Sequence, residues 1–137
     1  MAKVNVDTIQ NIKMIVSFDQ QILSIKFVEE VTIGAIDLQK IYAYGNEKSN
    51  GLPYCILFNY SSNFDLTESA LEYALNYTYD IPILAKAYVV TTKEKINRVR
   101  LHLSMDNPFI KPTIFESEEE AIEWLQSFLK EVPIIKQ

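Results

Sequence analysis

Six small polar residues, Ser61, Ser62, Asn63, Asp65, Thr67 and Ser69, crowd into the stretch LFNYSSNFDLTESAL, residues 57–71. An apolar run precedes them and a helical pattern follows. In open α/β sheets the loop leaving the carboxyl end of a strand is where ligands sit. Together with Asn59 at the strand end, these residues are the candidate partner or switch surface. Two chemistries fit them. A phosphoryl group on one of the hydroxyls would meet a helix N-terminus and add about two negative charges there. Alternatively, Ser, Asn and Asp serve the backbone, as loops and helix caps ordinarily require. Asp65 and Glu68 have the spacing of a capping box, and the residue types favour this structural use.

Other reactive residues are few. One histidine and one cysteine cannot build a structural zinc site. His102 lies in VRLHLSM with no partner nearby, and a general base needs one within reach. Asp65 with His102 is the one acid–base pairing available, and nothing in the sequence brings the two together. Cys55 sits inside the apolar run YCILF, where a thiol is expected to be buried and inert. The run Glu118-Glu119-Glu120 suggests a cation site at first sight, but the helix dipole and cap account for it fully. None of the three glycines, Gly34, Gly45 and Gly51, sits in a phosphate-binding loop, and no G-x-S-x-G elbow is present. No catalytic, cofactor-binding or metal-binding residue is assigned, and the chain is not expected to be an enzyme.

The charge balance, 18 acidic against 13 basic residues for a net −5, disfavours nucleic acid and anionic lipid as partners, since both require a positive surface. The basic segment KEKINRVR, 93–100, reads as a solvated helix face. No apolar run approaches the ~20 residues that span a membrane, and the opening residues lack the apolar core of a signal peptide. A reducing, cytoplasmic location is expected.

Strands and helices must position the candidate loop. The chain's 137 residues suit one domain over 1–137, with a weakly patterned, partly disordered opening (1–11) and a tail (132–137). KMIVSF and ILSIKF, joined by Asp19-Gln20-Gln21, alternate with a period near two and predict a hairpin with one wet face. Thr32 is positioned to cap a helix through IGAIDLQKIYAYG, ending at Gly45-Asn46. YCILFNY has the continuous apolar character of a strand buried on both faces. Ala70, Leu71, Ala74, Leu75 and Thr78 predict the inner face of a second helix, and ILAKAYVVTT a further buried strand. Thr91 and Glu94 begin a third helix with Ile96, Val99 and Leu103 on one face. KPTIFES is a proline-bounded edge strand. Ser117 and Glu120 form a capping box before a last helix with Ala121, Ile122, Leu125, Phe128 and Leu129 as its apolar stripe, ended by Pro133. The order β-β-α-β-α-β-α-β-α predicts an α/β fold. A single mixed sheet of about five strands is expected, with an antiparallel N-terminal hairpin, mostly parallel later strands and about four helices.

AKAYVVTT, a helix, and then NPFIKPTIFESEEEAIEWL resemble the closing half of small bacterial STAS-like or SpoIIAA-like domains. In those domains a short P-T-x-x-F strand leads into a helix of the type s-e-e-E-A-i-x-W-L. Pro112, Thr113, Phe115, Glu120, Ala121, Trp124 and Leu125 match that pattern, and the element order agrees over residues 12–130. The resemblance implies a four- or five-stranded sheet with helices mainly on one side, and no enzyme activity. It also locates the switch of the anti-sigma-factor antagonists, a D-S-S-G sequence opening the second helix, at Thr67-Glu68-Ser69-Ala70. Here the glycine is missing and Asn59 stands where relatives often carry aspartate.

These readings converge on a non-catalytic regulatory or protein-interaction module. A carrier or sensor of a small apolar ligand or lipid is the alternative. Eight tyrosines, among them Tyr42, Tyr44, Tyr73 and Tyr77, supply either core and rim packing or the lining of a pocket or homodimer surface. No cofactor is expected.

Overall fold

The computed structural model describes residues 7–10, 13–60, 64–76, 83–90 and 112–130. Its main sheet has six strands: β1 (Asp7–Gln10), β2 (Met14–Asp19), β3 (Ile22–Phe27), β5 (Tyr54–Asn59), β7 (Ile83–Val89) and β8 (Pro112–Phe115), in the spatial order β1-β2-β3-β5-β7-β8. A separate two-stranded parallel ladder joins β4 (Val31–Ile33) to β6 (Phe64–Leu66). Three helices lie among the described residues: α1 (Ala35–Ser49), α2 (Glu68–Asn76) and α3 (Glu118–Leu129).

The expected mixed α/β architecture is present. β2 and β3 form the antiparallel hairpin, and β3, β5, β7 and β8 run parallel. The hairpin turns through Gln20 and Gln21, both at positive φ (53° and 63°), the backbone that a two-residue connection requires. Its strands alternate as the sequence does. Met14, Val16 and Phe18 are buried while Ile15 and Asp19 face outward, so one face is wet. The weakly patterned opening is corrected over Asp7–Gln10. That stretch is β1, paired antiparallel with β2, because the open edge of a hairpin offers a row of unsatisfied backbone groups.

Every residue of β5 is buried, and each face of the sheet has its own core. On the first face, α1 and α2 cover Val16, Leu23, Ile25, Tyr54, Ile56 and Phe58. On the second, Ala121, Leu125 and Leu129 of α3 pack on Cys55, Leu57, Ala85, Ala87 and Val89. The small alanines of β7 let α3 approach closely.

Both boundaries of α1 differ from expectation. Thr32 does not cap α1; it lies within β4, and the N-cap is Gly34. Pairing of Val31–Ile33 with Phe64–Leu66 holds that stretch extended. The helix also does not stop at Gly45-Asn46 but continues to Ser49 and ends on Asn50 in the left-handed conformation, φ 55°. Gly45 is there for packing: a Cβ would lie 2.8 Å from Leu23 Cδ2 and 2.9 Å from Tyr54 Oη. The Tyr54 hydroxyl meanwhile donates to Asn46 Oδ1 at 3.0 Å. On α3, Phe128 is 37% exposed rather than part of the buried stripe, and it stacks edge-on against Trp124. The side chains of Leu71, Ala74 and Leu75 lie outside the described residues, as do Tyr77, Thr78, Pro133 and the segment of Thr91, Glu94 and Ile96 to Leu103. Tyr42, Tyr44, Tyr54, Tyr60 and Tyr88 are core residues, which is the packing role expected for the tyrosines.

Gly45→Ala should destabilise the fold by about 1–3 kcal/mol, although alanine is the better helix former by about 1 kcal/mol. A urea midpoint equal to or above wild type would show that the close contact with Leu23 and Tyr54 does not restrict this position.

Candidate functional site

The parallel strands end where the first turns of the three described helices gather, and the described candidate residues lie along this edge. Asn59, the last residue of β5, is buried. Its Nδ2 donates to Glu118 Oε2 at 2.7 Å, tying the sheet to the first residue of α3. Ser117 Oγ accepts the Glu120 N–H at 3.2 Å, so the expected cap of α3 is present. Glu118, Glu119 and Glu120 occupy its first turn, where the helix dipole favours them.

Asp65 is not the cap of α2. It projects, exposed, from β6. The cap is Thr67, whose Oγ1 accepts the Ala70 N–H at 3.0 Å. The β4–β6 ladder moves the cap from the expected Asp65 to Thr67 by keeping residues 64–66 extended. Thr67 N–H completes that ladder by donating to Ile33 O at 3.0 Å. Thr67 Oγ1 and Ser69 Oγ lie 3.0 Å apart. Ser69 is exposed and Thr67 half-buried. Of the seven candidate residues, Asn59, Asp65, Thr67 and Ser69 therefore sit at this edge, while Ser61, Ser62 and Asn63 lie outside the described residues. His102, and with it the pairing with Asp65, also lies outside the described residues.

Two buried charged residues were not singled out by sequence. Asp37, at the third position of α1, accepts from Gly34 N–H at 2.8 Å and from Lys13 Nζ at 3.0 Å. It supplies the carboxylate half of a capping box. Burial alone would raise this carboxyl, but the Gly34 N–H and the Lys13 ammonium outweigh it and hold the group below its ordinary 3.8. The GAID sequence at 34–37 was the available signal, a carboxylate three residues after glycine. Lys86, in the middle of β7, is also buried; a lysine between alanines in an apolar strand was the clue. Burial pushes the Cys55 thiol up to about 12, against a weaker opposing hydrogen bond from the Ala85 backbone, so this sulfur is neutral and unreactive. Among the described residues, no three His, Cys, Asp or Glu stand close enough to hold a metal ion, and no helix is long and apolar enough to cross a membrane.

Beneath the β4–β6 ladder lies a cluster of five rings. Phe27 and Phe64 are 4.4 Å apart between centroids, Tyr60 meets Phe64 edge-on at 4.8 Å, and Phe58 stacks on Tyr88 at 5.2 Å. The space under the candidate edge is thus filled with side chains. Among the described residues, two open grooves flank β2 away from this edge. One, of about 280 Å3, runs between β2 and α1, over Met14, Val16, Ile41 and Tyr44. The other, of about 240 Å3, lies on the opposite face between β2, β3 and α3.

Residues 16–129 match the family described as a domain of unknown function, DUF7793. The chain belongs to that family. Its fold is similar to that of an uncharacterised protein from the DUF3478 family with a SpoIIAA-like fold, from Shewanella loihica PV-4. That likeness has a TM-score of 0.55 at 15% identity and covers 88% of this chain and 91% of the other. The SpoIIAA-like fold expected from the closing half of the sequence is therefore shown. A comparison with curated proteins finds no match.

Thr67→Ala should cost about 1 kcal/mol, within the usual range for a lost N-cap, and more than Asp65→Ala. The reverse order in thermal denaturation would return the cap to Asp65. Asp37 gives a pH test. A carboxyl with a depressed folded-state value contributes stability above its unfolded value of 3.8 and loses it as the pH falls through the lower folded value. The urea midpoints of wild type and Asp37→Asn should differ near neutrality and converge in strong acid. A constant gap down to strong acid would show that the ion pair contributes nothing.

Proposed function

We propose that the chain is a non-catalytic regulatory or protein-interaction module that meets its partner through the ledge running from β6 into α2. One observation supports this: the division of labour among the polar side chains at the carboxyl edge. Asn59, Asp37 and Thr67 each hold one element to another or cap a helix. Asp65, Glu68 and Ser69 project to solvent from backbone that the β4–β6 ladder keeps in place. Groups that hold the scaffold cannot be diverted to proton transfer without loosening it. Exposed groups on a pre-ordered ledge lose little entropy when a partner docks. The partner is a protein of the bacterial cytoplasm, the reducing compartment that suits the lone thiol of Cys55.

Carriage of a small apolar ligand is the second reading, favoured by the groove over Met14, Val16, Ile41 and Tyr44. Its volume of about 280 Å3 is near the lower end for ligand sites, roughly 300 Å3. A homodimer is compatible with either reading.

A photo-crosslinking residue at Ser69 should capture one discrete protein in the native host, and the same residue at the exposed Ser127 on the far end of α3 should not. Asp65→Lys with Glu68→Lys should reduce the captured species at least tenfold. Identical patterns from the two positions would sink the interaction reading. For the second reading, Ala43→Trp should close the groove and abolish any small-molecule adduct seen by native mass spectrometry. A wild-type protein that carries no adduct overturns it.

A further inference from the structure

α1 ends in a tight turn that carries the chain towards β5. Asn50 holds the left-handed conformation at φ 55° and ψ 35°, and Gly51 follows at φ 81°. Leu52 N–H donates to Ser49 O at 3.0 Å. Residues 49–52 therefore form a turn with positive φ at both central positions, the geometry that favours Asn-Gly. Both central residues are exposed. A Cβ placed on Gly51 would meet nothing within 4 Å, so the space beside its backbone is free. Among the described residues the Gly51 N–H donates to no acceptor, and the Asn50 side chain makes no hydrogen bond.

We propose that Asn50 is a site of spontaneous covalent modification, passing through a cyclic imide to aspartate and isoaspartate, and that this conversion loosens the entry to β5. The step balances with water as the only co-reactant. The Gly51 backbone nitrogen, after losing its proton to hydroxide, attacks Asn50 Cγ. The new C–N bond closes a five-membered ring, and the side-chain nitrogen takes up a proton and leaves as ammonia. Water then opens the ring at either carbonyl. Opening at Cγ leaves aspartate in an ordinary backbone. Opening at the main-chain carbonyl leaves isoaspartate, with the chain running through the former side chain. Glycine makes the position reactive, because any other residue would set a side chain beside the attacking nitrogen. Asn46, by contrast, precedes Glu47 within α1 and accepts from Tyr54 Oη. Asn59 is buried, donates to Glu118 and precedes Tyr60.

The turn sets the rate. At ψ 35° the Gly51 nitrogen points away from the Asn50 side chain, so ring closure waits for the turn to open. Opening breaks the Leu52 bond and the contact from Asn50 N–H to Glu47 O, which at 3.4 Å is longer than the usual range of about 2.7–3.2 Å. Both lie at an exposed helix end, where local opening costs least. Both products weaken the turn. Aspartate sets a carboxylate at the negative end of the α1 dipole. Isoaspartate adds a methylene to the main chain shortly before Tyr54, the first residue of β5. The site lies at the far end of α1 from the candidate ledge, and the proposal stands apart from the interaction reading.

The test is mass spectrometry of the purified full chain, aged at neutral pH and physiological temperature in heavy-oxygen water, with isoaspartate located by electron-transfer fragmentation. Asn50 should lose ammonia and take up one heavy oxygen, with isoaspartate exceeding aspartate. Asn46 and Asn59 should convert at least tenfold more slowly. The rate at Asn50 should rise with pH, because the deprotonated nitrogen attacks. Gly51→Ala should slow conversion at least tenfold, both in the folded chain and in urea, where the stability of the turn no longer contributes. Aged protein enriched in isoaspartate should unfold at a lower urea concentration than fresh protein, by a wider margin than Asn50→Asp does. No conversion in the folded chain, equal rates at Asn46 or Asn59, or a Gly51→Ala variant as fast as wild type would overturn the proposal. Conversion with an unchanged urea midpoint overturns the loosening of the turn.

Discussion

Burial of β5 on both faces is the constraint from which the rest of the structure follows. Its six residues are at most 7% exposed, so apolar layers must close over both sides of the strand. The chain supplies α1 and α2 to one side and α3 to the other. Parallel neighbours on both edges of β5 satisfy its backbone. A strand flanked in this way requires crossover connections, and these bring the strand ends and the first turns of the helices to one edge of the sheet. The candidate ledge, the caps and the Asn59–Glu118 bond share a location for this reason.

Coverage also decides where the surface is available. Among the described residues, α1 and α2 lie on the first face and α3 on the second. β2 consequently has a groove on each side. On the α1 side its floor is made of buried core residues. On the α3 side its lining includes Ser17 and Ser24 together with Ile15 and Ile122. The two grooves differ in chemistry because β2 alternates, with its apolar residues mostly inward.

Much of this was legible in the sequence, because periodicity reports burial directly. The hairpin, the doubly buried strand, the proline-bounded edge strand and the last helix all announced themselves by pattern, and the final cap at Ser117 by its spacing to Glu120. What remained hidden was decided by contacts between distant segments. The sequences VTI and FDL are too short to show a period, so the β4–β6 ladder left no trace, and the caps at Thr32 and Asp65 were misassigned for that reason. Gly45 reads as a helix stop in isolation; only the approach of Leu23 and Tyr54 explains a glycine inside α1. Asp37 and Lys86 are charged residues whose burial depends on neighbours far along the chain. At the site, the small polar residues were visible, but which of them serve the backbone and which face solvent was settled by tertiary placement.

The β4–β6 ladder has a consequence for how the two crossover loops behave. Phe64 belongs to the aromatic cluster and Ile33 to the first-face core, while Thr32 and Asp65 between them point to water. Side chains alternate along an extended chain, so the two short segments are locked in phase. Deleting one residue from either loop would turn a core aromatic or aliphatic outward and a polar side chain inward. Evolution can vary these loops in composition at their exposed positions, but their length up to the ladder is held by a strand thirty residues away. The ledge is in this sense a single mechanical part made from two pieces of chain.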